Sequence, residues 1–248
     1  MSKLSKEYLK RVIQLIEKIS DEEEGAINQA ASLMADAIQD TKKIFAFGCS
    51  HSSLPVQDIV YRAGGLMLIN PIYAPGIASL DTHPTTMTSG IERLEGYAQV
   101  LLDNYPIQKD DVLIVVSVSG RNAVPIELAK IAQERGIKVI GVTSWKYTKE
   151  VTSRHPSGKK MYDYADVILD NKVDKGDAVM EAQGVSEKFT PASGATSNAL
   201  LHALVTACIE ELLKRGITPP IYIAGNVDGG EQHNARLKEQ YKEQMLNW

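Results

Sequence analysis

Short apolar runs alternate with longer amphipathic stretches along most of the chain. The apolar runs occupy residues 44–47, 66–69, 112–116, 138–142 and 167–169. Runs this short between turn residues predict strands, not helices. Apolar residues recur at helical spacing between and after them, in residues 54–63, 91–102, 124–135 and 195–215. The alternation predicts an α/β fold whose parallel sheet is covered by helices on both faces.

The two ends of the chain extend this pattern. Leu9, Val12, Ile13 and Ile16 have helical spacing in residues 4–19, and Asp21 is placed to cap a second helix. Beyond the last long helix, the sequence predicts a short strand, a turn at residues 228–230 and a charged helix. We therefore expect one domain over residues 1–248, with N-terminal helices in 1–40, a core in 41–215 and a helical tail in 221–248.

Two long irregular segments, residues 70–90 and 171–194, interrupt the regular pattern. Both are rich in Thr, Ser, Gly and Pro. Because loops of about 20 residues inside a compact domain are usually functional or mobile, we expect these segments to serve a site.

Composition excludes several classes of protein. The 248 residues are 44% hydrophobic and 23% charged, which is typical of a globular protein. With 27 basic and 31 acidic residues, the net charge of −4 provides no basic field for nucleic acid. Cys49 and Cys208 are too few for a disulfide framework, and no apolar stretch resembles a signal peptide or a membrane span. We expect a cytoplasmic protein that binds neither nucleic acid nor membranes.

Two loops, each between a predicted strand and a predicted helix, are rich in glycine and hydroxyl groups. The first contains Gly48, Ser50, His51 and Ser52, and the second contains Ser117, Ser119, Gly120, Arg121 and Asn122. We expect both turns to point free N–H groups and hydroxyls outward. A helix N-terminus with such donors holds an anion without a lysine, and phosphate suits donors that converge from several directions.

The order of the strands decides whether the two loops can form one site. In a flavodoxin-like sheet of order 2-1-3-4-5, the loops after the first and third strands flank the crevice where ligands bind. The alternative is that Ser119 or Asn122 only caps its helix. Neither loop has the sequence of a Walker A motif or of a dinucleotide-binding fingerprint, which disfavours nucleotides.

At these loops the sequence resembles the SIS, or sugar isomerase, domain family. The resemblance rests on Gly48-Cys49-Ser50-His51, on Ser117-Val118-Ser119-Gly120-Arg121-Asn122 and on the segments around them, over about residues 35–215. Within the family, the small phosphoheptose-isomerase-like members are the most similar. The resemblance implies a three-layer αβα sandwich with a five-stranded parallel sheet that binds a phosphorylated sugar. It also implies a homodimer or homotetramer.

Two departures from the family pattern affect the chemistry. Asn122 stands where the family more often has Ser or Thr. The helix after the first loop lacks the Glu that many isomerases of the family carry there, so a catalytic base cannot be transferred from the resemblance.

Interconversion of an aldose and a ketose phosphate needs a group that moves a proton between C1 and C2, and an acid or base that opens the ring. The candidates are Glu92, Glu95, His51, His83 and His202. Glu92 also fits a capping box that begins at Ser89. His202 lies within the last long helix, where the family often has a catalytic histidine, although a core or interface role is the alternative.

The predicted function is phosphosugar binding with aldose–ketose isomerase activity through an enediol intermediate. A non-catalytic phosphosugar sensor and an amino-sugar-phosphate lyase or etherase are the alternatives. No spacing of ligands supports a metal site, and we expect no cofactor. In residues 226–234, Glu231 or His233 could complete a site, whereas a turn followed by a helix start explains the same residues without one.

Overall fold

Five parallel strands form one sheet in the computed structural model, which describes residues 2–78 and 82–246. The strands are β1 (Ile44–Gly48), β2 (Ile69–Pro71), β3 (Val112–Val116), β4 (Lys138–Thr143) and β5 (Val167–Asp170). Their order is β2-β1-β3-β4-β5, and every neighbouring pair is parallel. The flavodoxin-like order predicted from the sequence is confirmed.

Helices cover both faces of the sheet. They are α1 (Lys3–Glu22), α2 (Glu24–Gln39), α3 (Ser53–Asp58), α4 (Thr86–Ile91), α5 (Tyr97–Asp103), α6 (Ala123–Glu134), α7 (Trp145–Lys149), α8 (Ser193–Lys214) and α9 (Gly230–Gln240). Short 3-10 helices occupy Met161–Tyr164 and Lys242–Gln244. The three-layer αβα architecture with N-terminal helices and a helical C-terminal tail is therefore confirmed.

The strands are apolar on both faces because each face supports its own core. On one face Ile114 packs with residues of α2 and α8 such as Met34 and Leu204. On the other face Leu113 packs with residues of α5 and α6, including Leu128. All five residues of β3 are buried, which explains why its sequence reads as an unbroken apolar run.

Two predicted helices are shorter in the structure. The helix predicted at 54–63 ends at Asp58, and Tyr61 and Gly64 have φ angles of 46° and 80°, which no α-helix accepts. The helix predicted at 91–102 begins only with α5, because Gly96 has a φ of 80° and separates α5 from α4. Apolar spacing alone therefore missed these two breaks.

The predicted bounds are also wrong at the second strand and the second helix. The strand predicted at 66–69 is displaced in the structure, where β2 spans Ile69–Pro71. Leu66 lies before β2 and forms an isolated bridge with Ile221. Asp21 does not cap α2, because it lies in the last turn of α1 and Glu23 precedes α2.

The segment 171–194 contains an antiparallel hairpin that was not predicted, formed by β6 (Ala178–Met180) and β7 (Phe189–Pro191). In the other irregular segment, residues 79–81 lie outside the described residues. Among the helices that the structure describes, none combines the length and the apolar character that crossing a bilayer requires.

Candidate functional site

The loops after β1 and β3 meet at the carboxyl edge of the sheet around one cavity. Gly48 and Val116, the last residues of these strands, are register partners, so the loops leave the sheet side by side. The cavity has a volume of about 230 Å³. Its lining consists of Cys49, Ser50, His51, Ser52, Glu92, Ser117, Val118, Ser119, Asn122, Tyr147, Gly176 and Asp177.

The second loop offers free donors to this cavity. The amide of Ser117 donates to the carbonyl of Val142 at 2.9 Å, whereas the amides of residues 118–122 donate no hydrogen bond within residues 2–78 and 82–246. The loop then enters α6, a twelve-residue helix. Free amides at a helix N-terminus favour an anion.

Gly120 allows the second loop to turn in this way. Its φ of 59° lies in the left-handed region that favours glycine. A Cβ atom here would also lie 3.2 Å from Oγ1 of Thr148 and 3.4 Å from Oγ1 of Thr143. Any other residue would therefore disturb the loop.

The first loop differs from the expectation, because most of its donors turn inward. The amide of Ser50 donates to the carbonyl of Ile77 at 2.7 Å, and that of Ser52 donates to the carbonyl of Cys49 at 2.9 Å. A Cβ atom at Gly48 would lie 2.1 Å from the carbonyl oxygen of Ser52, so the loop folds tightly onto itself. The first loop therefore presents mainly side chains, and few free backbone amides, to the cavity.

Glu92 lies directly after α4 and lines the cavity. The capping-box interpretation is wrong, because Ser89 lies inside α4 and cannot be its N-cap. Burial raises the pKa of the Glu92 carboxyl above its usual value, although the facing amide of Asn122 and the charges of Arg93 and Arg154 oppose this effect. Glu92 is thus a carboxyl group whose pKa is shifted toward neutrality in a polar cavity.

Asn122 is fixed by groups outside its own helix. It occupies the N-cap of α6, yet its side chain makes no capping hydrogen bond. Its Oδ1 accepts a hydrogen bond from Nη1 of Arg154 at 3.1 Å, which leaves its NH2 group for Glu92. The capping role considered for Asn122 is therefore wrong.

Positive charge surrounds this end of the second loop. Burial lowers the pKa of the Arg154 guanidinium, and the charges of Arg121 and Arg93 lower it further. Nη2 of Arg121 donates to Oγ1 of Thr152 at 3.3 Å, whereas its buried Nε has no partner in the described part of the chain. Three guanidinium groups therefore lie close enough to influence one another beside the free amides.

The segment 171–194 contributes Gly176 and Asp177 to the cavity, as its length suggested, although the sequence did not identify these residues. Asp177 accepts hydrogen bonds from the amides of Ala192 and Ser193 at 3.1 and 2.7 Å, and from Oγ of Ser193 at 2.6 Å. The Asp177 carboxylate therefore holds the start of α8 next to the edge of the cavity.

Of the other predicted acid–base candidates, His51 lines the cavity, and Glu95, His83 and His202 do not. His51 is exposed at the cavity, whereas Glu95 and His83 are exposed residues that do not line it. His202 lies on α8, where Nε2 is 2.9 Å from Oδ2 of Asp58. His202 does not line the cavity either, so this pair forms a separate contact between α3 and α8.

Two further residues, His233 and Cys49, have structural roles. His233 Nε2 lies 3.0 Å from the carbonyl oxygen of Ile221. Cys49 is buried, and its burial, reinforced by the charge of Glu92, raises the pKa of the thiol. A neutral thiol is a poor nucleophile, so Cys49 fills space beside Glu92.

Glu95, Glu127 and His155 form the one group of side chains in the described residues whose atoms are spaced to hold a metal ion, within 4.8 Å of one another. Nε2 of His155 lies 3.4 Å from Oε1 of Glu127. However, the amide of Gly96 donates to Oε2 of Glu127, and the amide of Ser157 donates to Nδ1 of His155. Because Nδ1 of His155 accepts a hydrogen bond, the proton of the neutral ring lies on Nε2, which faces Glu127. A polar contact between His155 and Glu127 therefore explains why these side chains lie together.

The fold and this cavity define an α/β protein with a loop of free backbone amides at the switch point of a parallel sheet. Residues 7–144 match the family model described as the SIS domain, and the chain belongs to the SIS domain family. It is 44% identical to a UPF0309 protein of Streptomyces coelicolor over 97% of this chain and 96% of that protein. It is 42% identical to a UPF0309 protein of Oceanobacillus iheyensis, over 97% of each chain.

Solved structures with little sequence identity share the fold. A phosphoheptose isomerase from Neisseria gonorrhoeae has a TM-score of 0.56 at 19% identity, covering 83% of this chain and 97% of that one. The Vibrio vulnificus NanR protein, solved in complex with ManNAc-6P, has a TM-score of 0.51 at 15% identity, covering all of this chain and 72% of that one.

Proposed function

We propose that the cavity binds a phosphorylated sugar and that the protein interconverts its aldose and ketose forms through an enediol intermediate. One observation carries this proposal: a carboxyl group with a raised pKa, Glu92, lines the same small cavity as a loop with free backbone amides. An anion-binding loop alone would support binding only, whereas the adjacent carboxyl group supplies a base.

The phosphate group is assigned to the second loop. The hydroxyls of Ser117 and Ser119 and the amides of Gly120 and Arg121 are its donors, supported by the positive end of α6. Arg93, Arg121 and Arg154 add positive charge at the same end, which favours the approach of an anionic substrate. Asn122 is reassigned from the phosphate to the base, because its side chain is held by Arg154.

The proton transfer is assigned to Glu92. Its carboxylate removes the proton from C2 of the open-chain aldose phosphate while the oxygen on C1 takes up a proton, which gives the enediol. The carboxylic acid then returns a proton to C1 as the oxygen on C2 loses one, which gives the ketose. A pKa nearer neutrality suits a group that must both accept and donate this proton. His51 is assigned to ring opening or to a sugar hydroxyl.

The family supports the class of ligand. The chain belongs to the SIS domain family, and the structural neighbours include a phosphoheptose isomerase and a protein in complex with ManNAc-6P. These neighbours are too distant in sequence to identify which sugar this chain binds. The location of the free amides supports the position of the phosphate independently of them.

A panel of aldose and ketose phosphates tests this proposal. Thermal shift identifies the ligands, and NMR in deuterated water follows exchange of the C2 proton and the product formed. We expect exchange with conversion to the isomer. Stabilisation without exchange would indicate a sensor and contradict the isomerase proposal, and an eliminated product would indicate a lyase or etherase.

A double variant tests the position of the phosphate. Ser117→Ala with Ser119→Ala removes two donors, and we expect it to abolish ligand-induced stabilisation. Ser89→Ala with Ser186→Ala is the matched control, because these serines are exposed and outside the cavity. Retention of stabilisation in the first pair would place the phosphate elsewhere.

A further inference from the structure

Three arginines from three different segments meet beside the cavity, and we call them the arginine cluster. Arg93 lies in the turn after α4, Arg121 lies in the second loop, and Arg154 lies after α7. The amide of Val124 donates to the carbonyl of Glu92 at 3.1 Å, which holds the first segment against the start of α6. The amide of Arg154 donates to the carbonyl of Arg121 at 2.8 Å. All three segments are therefore fixed at the N-terminal end of α6.

Hydrogen bonds to neutral groups hold two of these side chains. Nη2 of Arg121 donates to Oγ1 of Thr152 at 3.3 Å, and Nη1 of Arg154 donates to Oδ1 of Asn122 at 3.1 Å. Each of these guanidinium groups is thus bonded to the segment that carries the other one. Nε of Arg121 is buried without a partner in the described part of the chain. This guanidinium is therefore partly desolvated without an acceptor for its charge.

The chain does not balance the charge of the arginine cluster. Ion pairs with an aspartate or glutamate are formed by Arg11, Arg62, Arg135 and Arg215. None of the three clustered arginines forms one within residues 2–78 and 82–246. Burial and the charges of its two neighbours lower the pKa of the Arg154 guanidinium, and the charge of Glu92 offsets this lowering only in part. An anion from outside the chain would supply the missing partner.

The arginine cluster lies next to the cavity but outside its lining. Glu92 and Asn122 line the cavity, whereas Arg93, which follows Glu92, and Arg154, which holds Asn122, do not. An anion on the outer side of Asn122 therefore occupies a different place from a phosphate group in the cavity.

We propose that the arginine cluster binds a second phosphoryl group, distinct from the one assigned to the amides and hydroxyls of the second loop. Guanidinium groups suit a phosphoryl group because their planar forks donate paired hydrogen bonds to its oxygens. The group belongs either to a free phosphate ion or to a sugar that carries two phosphates. The distinction between two sites rests on the proposed function, which assigns the first phosphate to the second loop.

Equilibrium dialysis of the full chain against radiolabelled inorganic phosphate tests the proposal. We expect the wild type to bind two phosphates per chain. Arg93→Gln/Arg121→Gln should raise the dissociation constant of one of them by about 100-fold or more, because two charged donors are lost. Arg11→Gln/Arg236→Gln is the control, since it removes the same charge at exposed arginines of α1 and α9. Circular dichroism verifies that each variant is folded.

Ser117→Ala/Ser119→Ala distinguishes failure of this proposal from failure of the proposed phosphate position. This variant should lose the phosphate of the second loop and keep the one at the arginine cluster. If the arginine variant bound as much phosphate as the wild type, the proposal would be overturned. If the serine variant kept both phosphates while the arginine variant lost one, the arginine cluster would stand and the assignment to the second loop would be wrong.

Competition with two sugar phosphates identifies the source of the second group. Fructose 6-phosphate should displace one labelled phosphate from the wild type and leave the other. Displacement of both by one molecule of fructose 1,6-bisphosphate would support a ligand with two phosphates, and displacement of one would support a separate phosphate ion. Displacement of both by one molecule of fructose 6-phosphate would contradict the existence of two sites.

Discussion

Nη1 of Arg154 donates a hydrogen bond of 3.1 Å to Oδ1 of Asn122. The amide of Arg154 also donates to the carbonyl of Arg121 at 2.8 Å, so the segment after α7 is attached twice to the loop that precedes α6. Because Arg154 occupies Oδ1, the NH2 group of Asn122 is available to the carboxyl of Glu92. The position and ionisation of Glu92 therefore depend on a segment that lies about 60 residues further along the chain.

Removing either member of this contact should move the pH profile of the proposed isomerase activity. Burial raises the pKa of Glu92, and Asn122 and Arg154 both oppose that effect. Asn122→Ala and Arg154→Gln should therefore raise this pKa further, so that the acidic limb of kcat/KM shifts to higher pH. The shift should be larger for Asn122→Ala, because the amide faces the carboxyl directly. The measurement is isomer formation at saturating and limiting substrate across pH.

Arg135→Gln is the control for this pair, because Arg135 forms its ion pair with Asp103 away from the cavity. Its pH profile should match that of the wild type. An unchanged acidic limb in Asn122→Ala would show that Glu92 is not the group whose ionisation limits the rate.

Replacing Glu92 by Gln should separate binding from chemistry. The amide keeps the size of the side chain but cannot accept the C2 proton, so exchange into deuterated water should fall about 10²- to 10⁴-fold. Ligand-induced stabilisation should persist, because the phosphate donors are unchanged. Glu95→Gln, at an exposed position outside the cavity, should retain full exchange, and the reverse result would exchange the roles of the two glutamates.

The sequence predicted the meeting of the two loops because parallel strands end at one edge of a sheet. The observed strand order and the neighbouring positions of Gly48 and Val116 agree with that prediction. The role of Asn122 could not be predicted. A capping residue and a residue held by a distant arginine have the same local sequence.

The local sequence pattern also could not predict the position of Glu92. Ser89 and Glu92 have the spacing of a capping box, but α4 begins three residues before Ser89. Asp177 was missed for a different reason, since β6 and β7 are three residues each and too short to show an alternating pattern.

The ionised form of Glu92 should reduce the stability of the folded protein. A carboxyl whose folded-state pKa is raised contributes stability fully below its unfolded pKa, and this contribution is lost as pH rises through the folded pKa. Glu92→Gln removes the ionisation, so the variant should gain free energy of unfolding over the wild type as pH rises. Urea denaturation at about pH 4 and about pH 8 measures this, and the gain should be largest at the higher pH. A gain independent of pH would indicate that the carboxyl keeps its ordinary pKa.

Alanine substitutions at two glycines with similar φ angles distinguish the cost of backbone strain from the loss of the proposed phosphate site. Gly120 and Gly158 have φ angles of 59° and 70°, but only Gly120 has atoms within 4 Å of an added Cβ. Gly158→Ala should cost about 1 kcal/mol of unfolding free energy, through backbone strain alone. Gly120→Ala should cost more, because its methyl group approaches Oγ1 of Thr148, and it should also abolish ligand-induced stabilisation. If both variants lost equal stability and both still bound the phosphosugar, the loop at Gly120 would not form the phosphate site.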